Sequence, residues 1–161
     1  MKNKNTVKLF FVLMLFVMAC KSDIEERYEE ENKQVELLNS GVLTLGIKTN
    51  HEEFNKYKDK INKLKESLKD INDAKLQEKL LALEKLFNDK LEAKLAALKA
   101  AKDKINGYTD KDKNKNNIWS EARLVGVTVP FKGNSGKGAE MSTDALGQIE
   151  KIIKFLEEGV N

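Results

Sequence analysis

The chain is poor in the residues that chemistry usually needs. Its 161 residues include one cysteine, one histidine and one tryptophan. A single thiol excludes a disulfide within the chain, so stability must come from packing alone. Cys20 and His51 cannot make up a Cys/His metal set. No serine or cysteine stands at a spacing from His51 that nominates a nucleophile and its base. His51 sits at a helix start among acids, where a solvated side chain is expected. Carboxylates are plentiful, but they alternate with lysines in the manner of solvated helix exteriors. No catalytic residue, metal ligand or cofactor is therefore expected, an enzyme is not expected, and the residues of any ligand site remain unknown at this level.

Long apolar runs are also lacking, with one short exception. Leu9 to Ala19 is an unbroken apolar stretch behind a basic start carrying Lys2, Lys4 and Lys8. Eleven residues are too few to cross a bilayer core, which takes about 20 in a helix. The stretch therefore reads as an export signal over 1–19 rather than a permanent anchor. Val17-Met18-Ala19-Cys20 resembles a lipobox, with Val17 in the place of the usual leucine and the large Met18 where a small residue is common. Small Ala19 would let the peptidase approach the bond, and the Cys20 sulfur would carry the lipid. Cys20 is the expected lipid-attachment residue, and lipidation also accounts for the lone thiol of an exported protein.

Charge of one sign is missing once the signal is set aside. Of the 29 basic residues, Lys2, Lys4 and Lys8 lie in the signal, which leaves 26 against 26 acidic ones. Nucleic acid binding, which needs a net basic footprint, loses its support. The 142 residues that follow the signal suit one domain with a modest core.

Helical periodicity is what the chain does have. Ser22-Asp23-Ile24-Glu25 has the form of a capping box, and Ile24, Tyr28, Val35 and Leu38 then fall near one face. Residues 22–39 are read as a helix in preference to a solvated tether, ended by Ser40-Gly41, with Gly46 as a second turn signal. Thr49 with Glu52, or Asn50 with Glu53, offers the next cap. Phe54, Tyr57, Ile61, Leu64, Leu68 and Ile71 alternate steps of three and four and make one seam. Asn72-Asp73 breaks the phase. A second seam runs through Leu76, Leu80, Leu83, Phe87, Leu91, Leu95 and Leu98, with Ala93, Ala96, Ala97, Ala100 and Ala101 favouring helix and close approach. A helix over 74–106 would be roughly 48 Å long. At 72–73 a hairpin is preferred to a kink, because one continuous helix would leave its seam without an intrachain partner.

Beyond Gly107, the lysine- and asparagine-rich run to Asn117 reads as a mobile loop. Residues 118–124 suggest a short helix, and Val125 to Val129 an extended piece before Pro130. The segment from Phe131 to Met141 is glycine-rich. Ser142 or Thr143 is the expected cap of a final helix with Leu146, Ile149, Ile153 and Leu156 in a stripe, Ile152 beside it and Gly159 as its end. The expected fold is all-α: a bundle of about four helices with a long polar loop and a glycine-rich segment. The expected division is 1–19 signal peptide, 20–48 lipidated N-terminus, tether or first helix, and 49–161 helical domain.

Four features invite functional readings. Gly133-Asn134-Ser135-Gly136-Lys137-Gly138 looks like a phosphate loop, but Phe131 and Gly138 stand where that motif needs glycine and Ser or Thr. The leucine seams suit an intrachain core better than a coiled-coil dimer, although self-association stays open. Lys56, Lys60 and Lys63 share a face with Lys69 that could grip a sulfated polysaccharide; a charge-balanced solvated face is the plainer reading. Trp119 and Phe131 are read as buried anchors in preference to an exposed binding patch.

The chain is heavy in Lys, Asn, Ile and Glu, and opens with Met1-Lys2-Asn3-Lys4-Asn5 followed by Phe16-Val17-Met18-Ala19-Cys20. In these it resembles the plasmid-encoded outer-surface lipoproteins of Lyme-disease spirochaetes (Borrelia), in particular their small outer-membrane lipoprotein paralogues. A second, shorter resemblance, through Glu121-Ala122-Arg123-Leu124 and Thr128-Val129, is to decorin-binding adhesins. The resemblance implies a lipid-anchored surface antigen of the cell outer membrane, carrying palmitate and facing the host. The implied function is non-enzymatic interaction with a host or tick vector macromolecule, in adhesion, colonisation or immune evasion. The partners it implies are the membrane, through the N-terminal lipid, and a host or tick protein or glycosaminoglycan. A structural lipoprotein facing the periplasm is the alternative.

Overall fold

The computed structural model describes residues 26–130 and 137–158. The signal, Cys20, the Ser22–Glu25 box, Phe131, the Gly133–Gly136 part of the glycine-rich loop and Gly159 lie outside them. Among the described residues there are five helices and no strand: α1 over 26–44, α2 over His51–Ser67, α3 over Ala74–Gly107, α4 over Lys115–Leu124 and α5 over Gly138–Glu158. Over 26–39, the described part of the stretch read as helix or tether, the chain is helical.

α1 does not stop at Ser40-Gly41. It runs on to Thr44, because the Ser40 hydroxyl donates to Glu36 O (3.0 Å) within the helix and Gly41 serves a tertiary contact instead. A Cβ on Gly41 would come within 2.2 Å of the Tyr57 hydroxyl oxygen, so the missing side chain lets α2 lie close. Arg27 donates to Ser67 O at 2.9 Å, which places the start of α1 at the end of α2 and makes the pair antiparallel.

Asn50 caps α2 by accepting from Glu52 N (3.1 Å), while Thr49 Oγ1 accepts from Gly46 N (2.9 Å) and closes the preceding turn. Phe54, Ile61, Leu64 and Leu68 of the expected seam are buried, and Tyr57 and Ile71 pack at its edge. Residues 68–73 form a hairpin. Asp73 accepts from Leu76 N (2.8 Å) at the head of α3, and Gln77 Nε2 donates back to Leu68 O (3.1 Å). The Phe54 and Phe87 rings meet at 6.3 Å between centroids across the α2–α3 pair.

α3 spans both halves of the molecule. Its first half packs on α2; its second half receives α4 and α5, with Leu98, Ala101, Ile105, Ile118, Ala122, Ala145 and Ile149 buried together. Lys99–Glu157 (2.7 Å) and Lys102–Glu150 (3.0 Å) show that α5 returns antiparallel to α3. All the core members form one cluster, so α1 and α5 belong to a single hydrophobic core.

The stretch after Gly107 is more ordered than its polarity suggests. Lys111 Nζ donates to the α3 carbonyls of Ile105 and Asn106, and Asp110 Oδ1 accepts from Lys113 N (3.1 Å). Asp112 Oδ1 accepts from Gly138 N. The last of these corrects the start of the final helix: it begins at Gly138, four residues before Ser142, because its cap comes from Asp112 across the fold. Ser142 is buried in the helix instead.

At the end of α4 the chain turns through Gly126, the one described glycine with positive φ (77°). Val127 N donates to Ala122 O (3.0 Å) and Gly126 N to Arg123 O (3.2 Å), the paired bonds of a Schellman ending. Val125, Val127 and Val129 then point inward alternately in an extended piece that joins no sheet among the described residues. A Cβ on Gly126 would also lie 2.5 Å from Lys48 O. Gly126→Ala should therefore cost about 1–3 kcal/mol, read as a lowered midpoint in urea; an unchanged midpoint would rule out this account of the turn.

Candidate functional site

The antiparallel α1–α2 pair leaves an open cleft of about 450 Å³ between its helices. Leu38 and Leu64 form an apolar floor, Leu37 stands on the rim at 75% exposure, and Gln34 and Ser67 add polar edges. Glu31 lines the same cleft from α1, and Lys60 and Lys63 line it from α2. Glu31 is only 8% exposed, and its Oε2 has no hydrogen-bond partner among the described residues. A buried carboxylate oxygen without a donor is costly, which sets Glu31 apart from the solvated acids around it.

Glu31 was hidden in the acidic run Glu25 to Glu31. One signal could have found it. Tyr28, Val35, Leu38, Val42 and Leu45 keep a three–four rhythm, and Glu31 falls on the same seam. A charge in an apolar register position is the mark.

Lys94 is the second such charge. The buried positions of α3 run 76, 80, 83, 87, 94, 98, 101 and 105, so Lys94 lies one heptad beyond Phe87. Leu91 and Leu95, which the expected seam placed inside, are only partly buried. Lys94 is 1% exposed, and its ammonium donates to Ile47 O and to Val125 O (2.7 Å for the latter). It ties the α1–α2 turn to the end of α4. Burial brings its pKa down to about 8.

The other expected residues are spread over the surface and do not converge. Lys56 pairs with Glu53 (2.7 Å), Lys69 lies 3.9 Å from Glu66, and Lys60 Nζ stands 5.5 Å from the centre of the Tyr57 ring. The lysine face is thus neutralised in part, and Lys60 and Lys63 alone reach the cleft. Trp119 packs half-buried against the core with the Arg123 guanidinium 4.5 Å from its ring, as expected of an anchor. His51 departs from the solvated expectation: its ring meets Phe155 edge to face at 4.7 Å. Burial lowers its pKa, Glu52 opposing and Lys94 assisting. A second cleft of about 620 Å³ lies between the start of α1 and the α2–α3 hairpin, bordered by Arg27, Tyr28, Asp70 and Asp73.

Among the described residues no three His, Cys, Asp or Glu side chains gather as a metal site, and no helix is long and apolar enough to cross a membrane.

Among the described residues the architecture is an all-helical bundle of five helices, with a long central α3 and a charged cleft between the first two. Over residues 1–158 the chain matches the family described as Borrelia burgdorferi REV protein, and it belongs to that family. It is similar to a Rev protein from Borrelia burgdorferi whose crystal structure was determined at 1.80 Å, with 57% sequence identity and a TM-score of 0.78. The likeness covers 81% of this chain and 97% of that one. No curated protein matches. The Borrelia resemblance in the sequence is borne out, as is the helical bundle.

Proposed function

We propose that the chain is exported, lipidated at Cys20 and displayed on the outer surface of the cell, where its bundle binds a host or tick macromolecule without catalysing a reaction. One observation carries the anchor: an apolar stretch of eleven residues, behind three lysines, ends in Ala19-Cys20, and that cysteine is the only one in the chain. Each buried acyl methylene contributes about 0.8 kcal/mol, so two or more chains hold a folded domain firmly at a membrane. The binding role is supported by the open α1–α2 cleft, with its unpartnered carboxylate oxygen and its two lysines. A rigid core behind an open cleft fixes the position of whatever docks there.

Cys20→Ala should abolish incorporation of radioactive palmitate and leave an unanchored or unprocessed product. Equal labelling of wild type and variant would refute lipidation. A partner held by lysines, such as a sulfated glycosaminoglycan, should be lost between low salt and 0.15 M, where the screening length is about 8 Å. Binding to heparin that is indifferent to salt would refute the lysine mode.

A further inference from the structure

We propose that His51 and Lys94 form an acid-operated catch at the waist of the bundle, where a proton on His51 loosens the α1–α2 turn and the end of α5 from the middle of α3. The catch lies where four helix ends meet. Lys94, in the middle of α3, donates to Ile47 O in the turn after α1 and to Val125 O (2.7 Å) at the end of α4. A Cβ on Gly126 would lie 2.5 Å from Lys48 O, so the same turn also rests on the end of α4. His51 is the first residue of α2, and its ring meets Phe155, near the end of α5, edge to face at 4.7 Å. The α1–α2 half and the α4–α5 half of the molecule are thus fastened to each other beside Lys94.

The electrostatics of this place admit one cation and resist a second. The carbonyl ends of α1 and α4 converge on Lys94, and the negative end of a helix dipole favours an ammonium. His51 stands at the opposite, positive end of α2, half-buried and close enough to Lys94 to feel its charge. Burial first, and Lys94 with it, hold the His51 pKa below 6.5 against the pull of Glu52. The other charges around the junction are engaged elsewhere or positive. Glu53 pairs with Lys56 (2.7 Å), Lys90 donates to Leu43 O (3.2 Å) and Arg123 covers the Trp119 ring. On α5, Glu157 pairs with Lys99 (2.7 Å) and Glu158 lies 3.8 Å from Lys154, while Lys151 and, in the α1–α2 turn, Lys48 add only positive charge. Below pH 6.5 the unfolded chain takes up the proton more readily than the fold does. Stability present above pH 6.5 is therefore lost as pH falls through the folded-state pKa. His51 is the only histidine, the side chain that ordinarily titrates between pH 7 and 5, so the loss starts at this junction.

The test uses the full chain, labelled with carbon-13 and nitrogen-15 and titrated from pH 8 to pH 5. The His51 ring should titrate with a midpoint below 6.5, and the amides of Ile47, Gly126 and Phe155 should shift with that same midpoint. The Thr49, Gly126 and Val127 amides donate to Gly46 O, Arg123 O and Ala122 O. Their protection from hydrogen exchange, corrected for the intrinsic rate, should fall over the same range, by about tenfold for each pH unit that the midpoint lies below 6.5. Lys94→Met should raise the His51 midpoint towards 6.5, and Glu52→Gln should lower it further. His51→Phe, which keeps a ring against Phe155 and carries no proton, should abolish the loss of protection. If Lys94→Met does not fold, Glu52→Gln alone carries the charge comparison. A His51 midpoint at or above 6.5 would overturn the proposal. So would protection that holds at pH 5, amides at the junction that ignore the histidine midpoint, or a midpoint unmoved by the charge changes. None of these readouts depends on Cys20 or on the α1–α2 cleft, so the catch stands or falls apart from the surface-binding reading.

Discussion

Leu83→Asp is expected to unfold much of the protein at 37 °C, while Leu81→Asp, two residues earlier on the same helix, is expected to be nearly silent. Leu83 is fully buried at the centre of the α3 seam, whereas Leu81 is 65% exposed. The substitution removes a core side chain and places a carboxylate where no partner can reach it. The loss of packing and the unpaired charge together should exceed about 4 kcal/mol, a large part of the 5–15 kcal/mol typical of a domain. Leu64→Asp, on α2, should behave in the same way, since Leu64 is 2% exposed. Lys113→Ala should resemble Leu81→Asp, because the Lys113 ammonium only meets Asp110 at an exposed site. Thermal melts with Leu83→Asp as stable as Leu81→Asp would remove the single-core account.

Lys94→Met carries the second large effect. The variant keeps the aliphatic length and leaves the carbonyls of Ile47 and Val125 without their shared donor. Two acceptors deprived of one charged donor should cost about 2–3 kcal/mol near neutral pH. The pH dependence has a definite sign. The Lys94 pKa is about 8 in the fold against 10.5 in the open chain. Between those values the unfolded chain holds a proton that the folded chain has released, so raising the pH favours folding. Wild type should gain stability relative to Lys94→Met from pH 8 to pH 10, and the gain should reverse as pH falls back through 8. Urea midpoints of the two proteins that move in parallel over this range would contradict the burial of Lys94. Using the difference between the proteins cancels the titration of the other lysines and tyrosines.

The seams of α2 and α3 were legible because their residues repeat at three and four, and on α3 burial follows that rhythm as far as Phe87; beyond it Lys94 takes the buried position and Leu91 and Leu95 are only partly buried. The α2–α3 hairpin was legible for a related reason, since Asn72-Asp73 breaks the phase and Asp73 makes a local cap. What failed to show was set by contacts distant in sequence. Gly41 reads locally as a helix stop, yet it is a point of close approach to Tyr57, sixteen residues on. The start of α5 depends on Asp112, which no window around Ser142 contains. The run after Gly107 reads as mobile because its ordering groups are themselves polar: Lys111, Asp110 and Asp112 hold backbone groups rather than apolar ones.

The cleft shows the same division. Its floor, Leu38 and Leu64, was marked by the seams, and Lys60 and Lys63 were singled out as a face. Glu31 lies within the acidic run Glu25 to Glu31 and was not singled out, because charge alone suggests water. Register argued otherwise, and the same holds for Lys94 on α3. In a helical bundle a lone charge on a three–four seam is therefore a place to look for either a clamp or a ligand. Lys94 finds two carbonyls within the chain and is a clamp. Glu31 lines an open cleft, and its enclosed Oε2 finds no partner among the described residues.

Protease treatment of intact cells tests the proposed surface display most directly. Proteinase added to whole spirochaetes should remove this protein while a periplasmic marker survives, and Cys20→Ala should leave no cell-bound protein to remove. Full protection on intact cells, with digestion only after the outer membrane is opened, would contradict surface display and place the chain as a structural lipoprotein facing the periplasm.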